Sequence, residues 1–216
     1  LKEVKIRGYR NKNIIPGEVK SAVIKKEAGR YYVSVLIEEE LIRPAFVPNS
    51  IIGIDLGIKD LIVTSYNEKI ENNIKLNTKR MVGLQRGLSR CKKGSKNRYK
   101  MKLKIQRLYQ KIRNARKHMI HDITNKLINE NDIIVTENLD VKSMQKNHYV
   151  AKGLNENPIS EIIRVLKYKA DWNNKRIIQI DRYYPSSQIC NVCNYQNKEV
   201  KDLSIRNWEC PVCHTE

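Results

Sequence analysis

Negative charge is missing from a long stretch of this chain. From Asn72 to His121 there is no Asp or Glu, while the same window carries seventeen Lys and Arg. The whole chain has 42 basic against 23 acidic residues, so its net charge of +19 sits almost entirely in that window. A helix face that is merely solvated carries interspersed acids to limit self-repulsion, and none is here. A polyanion is therefore the expected partner. The window also lacks the Trp/Phe/Leu face of an interfacial helix, which argues against a membrane surface. Long apolar runs are absent too, and neither a bilayer span nor a signal-peptide pattern is recognisable. With five cysteines and no secretory pattern, the expectation is a reducing, cytoplasmic setting in which thiols bind metal instead of pairing. Internal repeats and low-complexity tracts are missing as well.

What is present is a series of short apolar runs ending on acids. Ile51-Ile52-Gly53-Ile54-Asp55 reads as a buried strand, its branched residues suiting a sheet covered on both faces. Asp55 at its end is either a turn-forming Asp or a carboxylate whose desolvation is offset by a cation. Asp132–Asn138 repeats the pattern and ends on Glu137; Arg176–Asp181 repeats it again. Before these, Val4–Ile6 reads as one strand and Val19–Lys26 with Arg30–Glu38 as a hairpin turning at Glu27-Ala28-Gly29. Pro44 and Pro48 bracket a linker. Asp60–Tyr66 and a weaker Glu68–Lys75 complete a meander.

Helical spacing appears at Met81, Leu84, Leu88 and Cys91, breaks over Lys92–Asn97, and resumes from Ile105 to Leu127, predicting a basic helical hairpin over about 78–130. Its candidate nucleic-acid contacts are Arg86, Arg90, Lys92, Lys93, Lys96, Arg98, Lys100, Lys104 and Arg107. Val141–Asn157 reads as an irregular, mobile loop. Asn157-Pro158 starts a helix whose buried stripe is Ile159, Ile162, Ile163, Leu166 and Ala170. Three meandering strands, helix, strand, helix, strand is the ribonuclease-H-like order, an α/β plan in which the first and fourth strands are neighbours. Asp55 and Glu137 would then share one end of a sheet, either as strand-end acids with structural partners or as ligands of Mg²⁺, which favours a few carboxylates plus substrate phosphates.

Cys190-x₂-Cys193 and Cys210-x₂-Cys213, sixteen residues apart, have the spacing of paired zinc knuckles. Four thiolates close a tetrahedral Zn²⁺ site with no open position, so the expected role is structural. Cys91 reads as a small core residue, and His214 as a neighbour of an already full site. Asp181 is open between a third metal ligand and a cap or ion pair with Arg182. Tyr183, Tyr184 and Trp208 either stack on bases or pack the zinc segment. His118, His121 and His148 have no partner acid at telling spacing.

Together, GIDLGIKDL, KKGSKNR, IIVTENLDVKSM and YYPSSQICNVC…RNWECPVC resemble the TnpB/OrfB proteins of bacterial insertion sequences. These are compact RNA-guided DNA endonucleases, long described as transposases and related to type V CRISPR effectors. The resemblance implies a wedge-like β domain ending within 1–48, a RuvC-type nuclease domain over 49–185 and a zinc ribbon over 186–216. It makes Asp55 and Glu137 catalytic Mg²⁺ ligands and the four cysteines Zn²⁺ ligands, with guide RNA and target DNA as partners and a bacterial, nucleoid-associated setting. It also implies a third catalytic aspartate in an H-D-R-D-like stretch beyond Glu216. The expectation is a fragment truncated at both ends and an impaired nuclease. A non-catalytic nucleic-acid-binding remnant or regulator, or a strand-joining transposase, is the alternative.

Overall fold

A computed structural model describes residues 17–215 apart from 41, 42, 44, 73, 75–77, 183, 202–204 and 206. Val4–Ile6, Pro44, Lys75, Tyr183 and Glu216 therefore lie outside the described residues.

The hairpin forms where expected. β1 (Glu18–Glu27) and β2 (Arg30–Glu38) pair antiparallel through Ala28-Gly29, with φ angles of 50° and 78°. Positive φ at both turn residues matches the right-handed twist of the strands. The ribbon has no core of its own, since Val23, Ile24, Tyr31 and Leu36 are exposed. Its tip is held by the long basic helix: Arg107 Nε donates to Ala28 O at 3.3 Å, Gln110 Nε2 donates to Tyr32 Oη at 2.9 Å, and Arg113 pairs with Glu27.

A second sheet contains β3 (Ile51–Asp55), β4 (Ile62–Thr64), β5 (Lys69–Ile70), β6 (Ile133–Glu137) and β7 (Arg176–Ile180), in the order β5-β4-β3-β6-β7. β3, β4 and β5 form the antiparallel meander, and β6 and β7 join parallel on the other side. The first and fourth strands of this sheet are thus neighbours. β4 and β5 are much shorter than Asp60–Tyr66 and Glu68–Lys75, because turns at Asp60 and Asn67 consume the flanking residues.

Helices cover one face. α1 (Thr78–Arg90) and α2 (Lys96–Glu130) form the basic hairpin, α3 (Val141–Met144) and α4 (His148–Glu156) follow β6, and α5 (Ile159–Trp172) leads into β7. α2 begins well before Ile105 because Ser95 caps it, accepting from Arg98 N–H at 3.2 Å. Ile52, Ile54 and Ile134 from the sheet meet Ile120, Leu127 and Ile128 of α2 and Ile162, Val165 and Leu166 of α5. Burying such side chains contributes roughly 1.5–3 kcal/mol each before entropy is counted. Lys169 sits inside this contact, donating to His121 O, Thr124 Oγ1 and Asn125 Oδ1 at 3.0, 2.7 and 2.6 Å. Burial pushes its pKa down.

Two expectations are corrected. β3 is not covered on both faces: Ile52 and Ile54 are buried, whereas Ile51 on the opposite face is 57% exposed. Period-2 alternation sends only every second residue to the helices. Val141–Asn157 is not an irregular loop but carries α3 and α4, each started by a capping side chain, Asp140 accepting from Ser143 N–H and Asn147 from Tyr149 N–H. Leu154 then anchors α4 at 3% exposure. Among the described residues no helix is long and apolar enough to cross a membrane.

Candidate active site and metal centre

The sheet's open face carries the acidic pair. Its register is set at the strand entrances, where Asp132 Oδ2 accepts from Asn49 N–H, Ser50 N–H and Ser50 Oγ–H at 3.0, 3.1 and 3.1 Å. Ser50 O in turn accepts from the N–H groups of Asp132 and Ile133. The Asn49 N–H contributes most to holding the Asp132 carboxyl below its usual range, with the Ser50 hydroxyl and N–H also acting that way. From this anchor β3 and β6 run in parallel step, Ile51 beside Ile133 through Ile54 beside Thr136. Asp55 and Glu137 are the next residue of each strand, on adjacent strands about 4.8 Å apart.

Both carboxylates line a depression of about 280 Å³ with Gly53, Ser65, Val135 and Ile180. Partial burial raises the Glu137 pKa, and the negative charge of Asp55 raises it further. Two neighbouring carboxylates in a concavity open to solvent make an oxygen-donor set suited to a hard divalent cation. Asp181 follows the residue paired with Glu137 but lies outside the depression's lining. Its neighbour Arg182 pairs with Asp140 at 3.4 Å and donates to Asn138 O at 3.5 Å.

The four cysteines converge. Their Sγ atoms all lie within 4.8 Å of one another, with Cys190–Cys213 at 3.4 Å and Cys193–Cys210 at 3.5 Å. A tetrahedron of thiolates at 2.3 Å from Zn²⁺ has edges of about 3.8 Å, so the cluster fits that ion. The two knuckles are built alike. Cys190 N–H donates to Tyr195 O and Asn194 N–H to Cys190 O; likewise Cys210 N–H donates to Thr215 O and His214 N–H to Cys210 O. Asn194 and His214 both take positive φ, 58° and 55°. His214 is thus a turn residue, its ring on Glu209 at 2.9 Å. The Thr215 hydroxyl and N–H pull the Cys213 thiol down, while Cys193 in the same cluster, against the lowering effect of the Tyr195 backbone, is pushed up by burial and the neighbouring thiols.

The basic residues divide into two kinds. Arg98 donates to Leu88 O at 2.8 Å and Cys91 O at 3.4 Å, closing the C-terminal end of α1, and Arg107 holds the hairpin turn. The side chains of Arg86, Arg90, Lys92, Lys93, Lys96, Lys100 and Lys104 have no hydrogen-bond or ion-pair partner among the described residues. Lys104, Arg107 and Lys111 line a groove of about 440 Å³ between α1 and α2. Cys91 is half-buried and donates to Gly87 O, making it a helix-end residue instead of a core one. His118 does have an acid, Asp122 one turn on, and His148 stacks on Tyr149 at 3.9 Å. Tyr184 is exposed and Trp208 half-buried.

Asn157 does not cap α5 as the sequence suggests: Pro158 is the N-cap of α5, without a side-chain cap bond, and Asn157 is the C-cap of α4. Its buried amide donates to Gly57 O and Ile58 O at 3.3 and 2.6 Å and accepts from Asn72 Nδ2 at 2.9 Å. No local signal marks partners a hundred residues away.

A family model described as a probable transposase, OrfB_IS605, matches residues 32–148, and a Cas12f1-like TNB domain model matches 160–216. A Streptomyces pristinaespiralis protein named "Putative RNA-guided DNA endonuclease" is 34% identical over 87% of this chain and 47% of its own length. InsQ of Escherichia coli (strain K12), given the same description, is 32% identical over 94% of this chain and 54% of its own length. The chain thus spans about half the length of these curated relatives. Cas12f1 in a complex with sgRNA and target DNA is similar in structure, with TM-score 0.50 and 18% identity over 89% of this chain and 51% of that one. A CRISPR-Cas12f ternary complex gives TM-score 0.51 and 22% identity over 86% and 39%.

Proposed function

We propose that this chain, which belongs to the OrfB_IS605 family of probable transposases, carries the nuclease part of an RNA-guided DNA endonuclease. The observation that supports this best is Asp55 beside Glu137 at the ends of neighbouring parallel strands, in a depression on the open sheet face. The sheet order β5-β4-β3-β6-β7 supports reading residues 49–185 as a ribonuclease-H-like, RuvC-type domain; in the same proposal residues 1–48 belong to a wedge-like β domain and residues 186–216 to a zinc ribbon.

In this reading Asp55 and Glu137 hold Mg²⁺ and Cys190, Cys193, Cys210 and Cys213 hold Zn²⁺. Bound Mg²⁺ would supply an activated water and charge neutralisation at the leaving oxygen of a phosphodiester. The protein's part is positional. Asp132 fixes the register that puts the carboxylates side by side, and the depression admits a backbone phosphate from solvent. The free cations of α1 and α2 draw in the guide RNA and target DNA, whose pairing reads sequence while the protein holds backbones. The cysteine cluster orders a segment otherwise too small to fold alone.

The test is divalent-cation binding by the zinc-loaded chain, followed by Mn²⁺ titration and compared with Glu137→Gln. An isotherm that Glu137→Gln and Asp55→Asn each weaken at least about tenfold supports the pair as ligands. An isotherm indifferent to both refutes it. Guide-dependent DNA cleavage by a protein of the relatives' full length, lost in Asp55→Asn, then tests the activity.

A further inference from the structure

We propose that Asn157 is a positioning residue for Asp55. The inference rests on the reading of Asp55 and Glu137 as a divalent-cation pair and adds what holds that pair still. Asp55 is the last residue of β3, and the pairing with β6 stops one residue earlier, at Ile54 and Thr136. Asp55 does pair with Val63 of β4, and the turn over residues 56–61 that joins β3 to β4 bears on it from its C-terminal side.

That turn is tied down from outside. Gly57 N–H donates to Leu61 O at 3.3 Å and Leu61 N–H to Ile70 O at 2.8 Å. The backbone comes so close that a Cβ on Gly57 would lie 2.7 Å from Asp60 O. The carbonyls of Gly57 and Ile58 then point at one side chain, the Asn157 amide, which is only 6% exposed. The two carbonyls select the amide's nitrogen end, and Asn72 donates to its Oδ1 on the far side. Beside it, α4 presses on the same turn, since a Cβ on Gly153 would lie 2.2 Å from Ile58 Cγ2. Asn157 N–H donates to Gly153 O at 2.9 Å, so α4 and the amide act on the turn as one unit.

Ordered oxygen ligands matter here because Mg²⁺ demands near-octahedral geometry, and a site loose by a fraction of an ångström loses affinity. Asn157→Asp keeps the shape and the acceptor for Asn72 but turns an oxygen toward two carbonyl oxygens. That leaves both carbonyls without their donor and adds repulsion, worth about a tenfold change or more in the population of the closed turn. Asn72→Ala removes the donor to Asn157 Oδ1 and the acceptor of Ile74 N–H, and leaves both turn carbonyls facing the Asn157 amide nitrogen. Gly153→Ala pushes on Ile58 by a separate route, although Ala is the better helix former.

The experiment compares these variants as zinc-loaded chains by Mn²⁺ titration and by amide hydrogen exchange of the metal-free protein. Asn157→Asp and Gly153→Ala are expected to weaken Mn²⁺ binding by about tenfold and to speed exchange at Gly57 and Leu61 by a similar factor. Exchange in β6 and α5 stays at wild-type rates, and Asn72→Ala leaves Mn²⁺ affinity close to wild type. Unchanged Mn²⁺ affinity in both variants, or exchange that rises evenly through the sheet, overturns the proposal. A wild-type chain without Asp55-dependent Mn²⁺ binding refutes the cation pair itself; the exchange comparison then decides alone whether Asn157 holds the turn.

Discussion

Lys92→Ala/Lys93→Ala, set against Arg98→Ala, separates cations that meet a polyanion from cations spent on the fold. Of the nine basic residues singled out on α1, α2 and their loop, seven have side chains without a partner among the described residues, while Arg98 and Arg107 bond backbone carbonyls. Taking each of the seven as one phosphate contact gives a slope of log K against log salt of about −6.3 on duplex DNA. Affinity then falls by about 6,000-fold between roughly 50 and 200 mM salt. Removing Lys92 and Lys93 takes the slope to about −4.5 and the loss over the same range to about 500-fold. Arg98→Ala should leave the slope unchanged, because its guanidinium is engaged with Leu88 O and Cys91 O. It instead costs about 1–2 kcal/mol of stability through the unsatisfied end of α1. Fluorescence anisotropy on a labelled duplex over that salt range reads the slopes, and urea unfolding reads the stability. A slope that Lys92→Ala/Lys93→Ala leaves untouched, or that Arg98→Ala lowers equally, would refute the division.

Purified chain should contain about one Zn²⁺ per molecule, and Cys190→Ala should lose it; full zinc retention in that variant would contradict the four-thiolate site. Asp132→Asn tests the register anchor. The lowered Asp132 pKa means its carboxylate stabilises the fold above the unfolded-state pKa, with that contribution lost as pH falls through the folded value. The variant should therefore be less stable at neutral pH and show a flatter acid limb in thermal melts. Glu137 has the opposite sign. Its raised pKa makes the metal-free fold lose stability as pH rises through the carboxylate range, so Glu137→Gln should flatten that loss while weakening the Mn²⁺ isotherm. Leu166→Ala, at a fully buried α5 position, should cost about 2–5 kcal/mol by denaturant titration, and a cost below 1 kcal/mol would mean that α5 does not pack as described.

Much of this molecule is legible in its residues, because the signals are local. Apolar runs ending on acids mark β3, β6 and β7; period-3.6 spacing marks α2 and α5; paired CxxC motifs mark a cluster whose geometry follows from backbone knuckles a few residues long. The acid-free window predicts a polyanion partner whatever the fold. Other features depend on contacts that no window contains. Which side of β3 faces water is decided by where α2 and α5 lie, so Ile51 is exposed although its sequence matches Ile52. Arg98 and Lys96 look alike in the chain, and only the close approach of α1 to α2 makes one a helix-end donor and leaves the other free. Asn157 reads as a cap, yet its amide reaches the turn behind Asp55. The sequence determines which groups can ionise, ligate or pair; the tertiary structure determines which of them are desolvated together, because that depends on distances between segments a hundred residues apart.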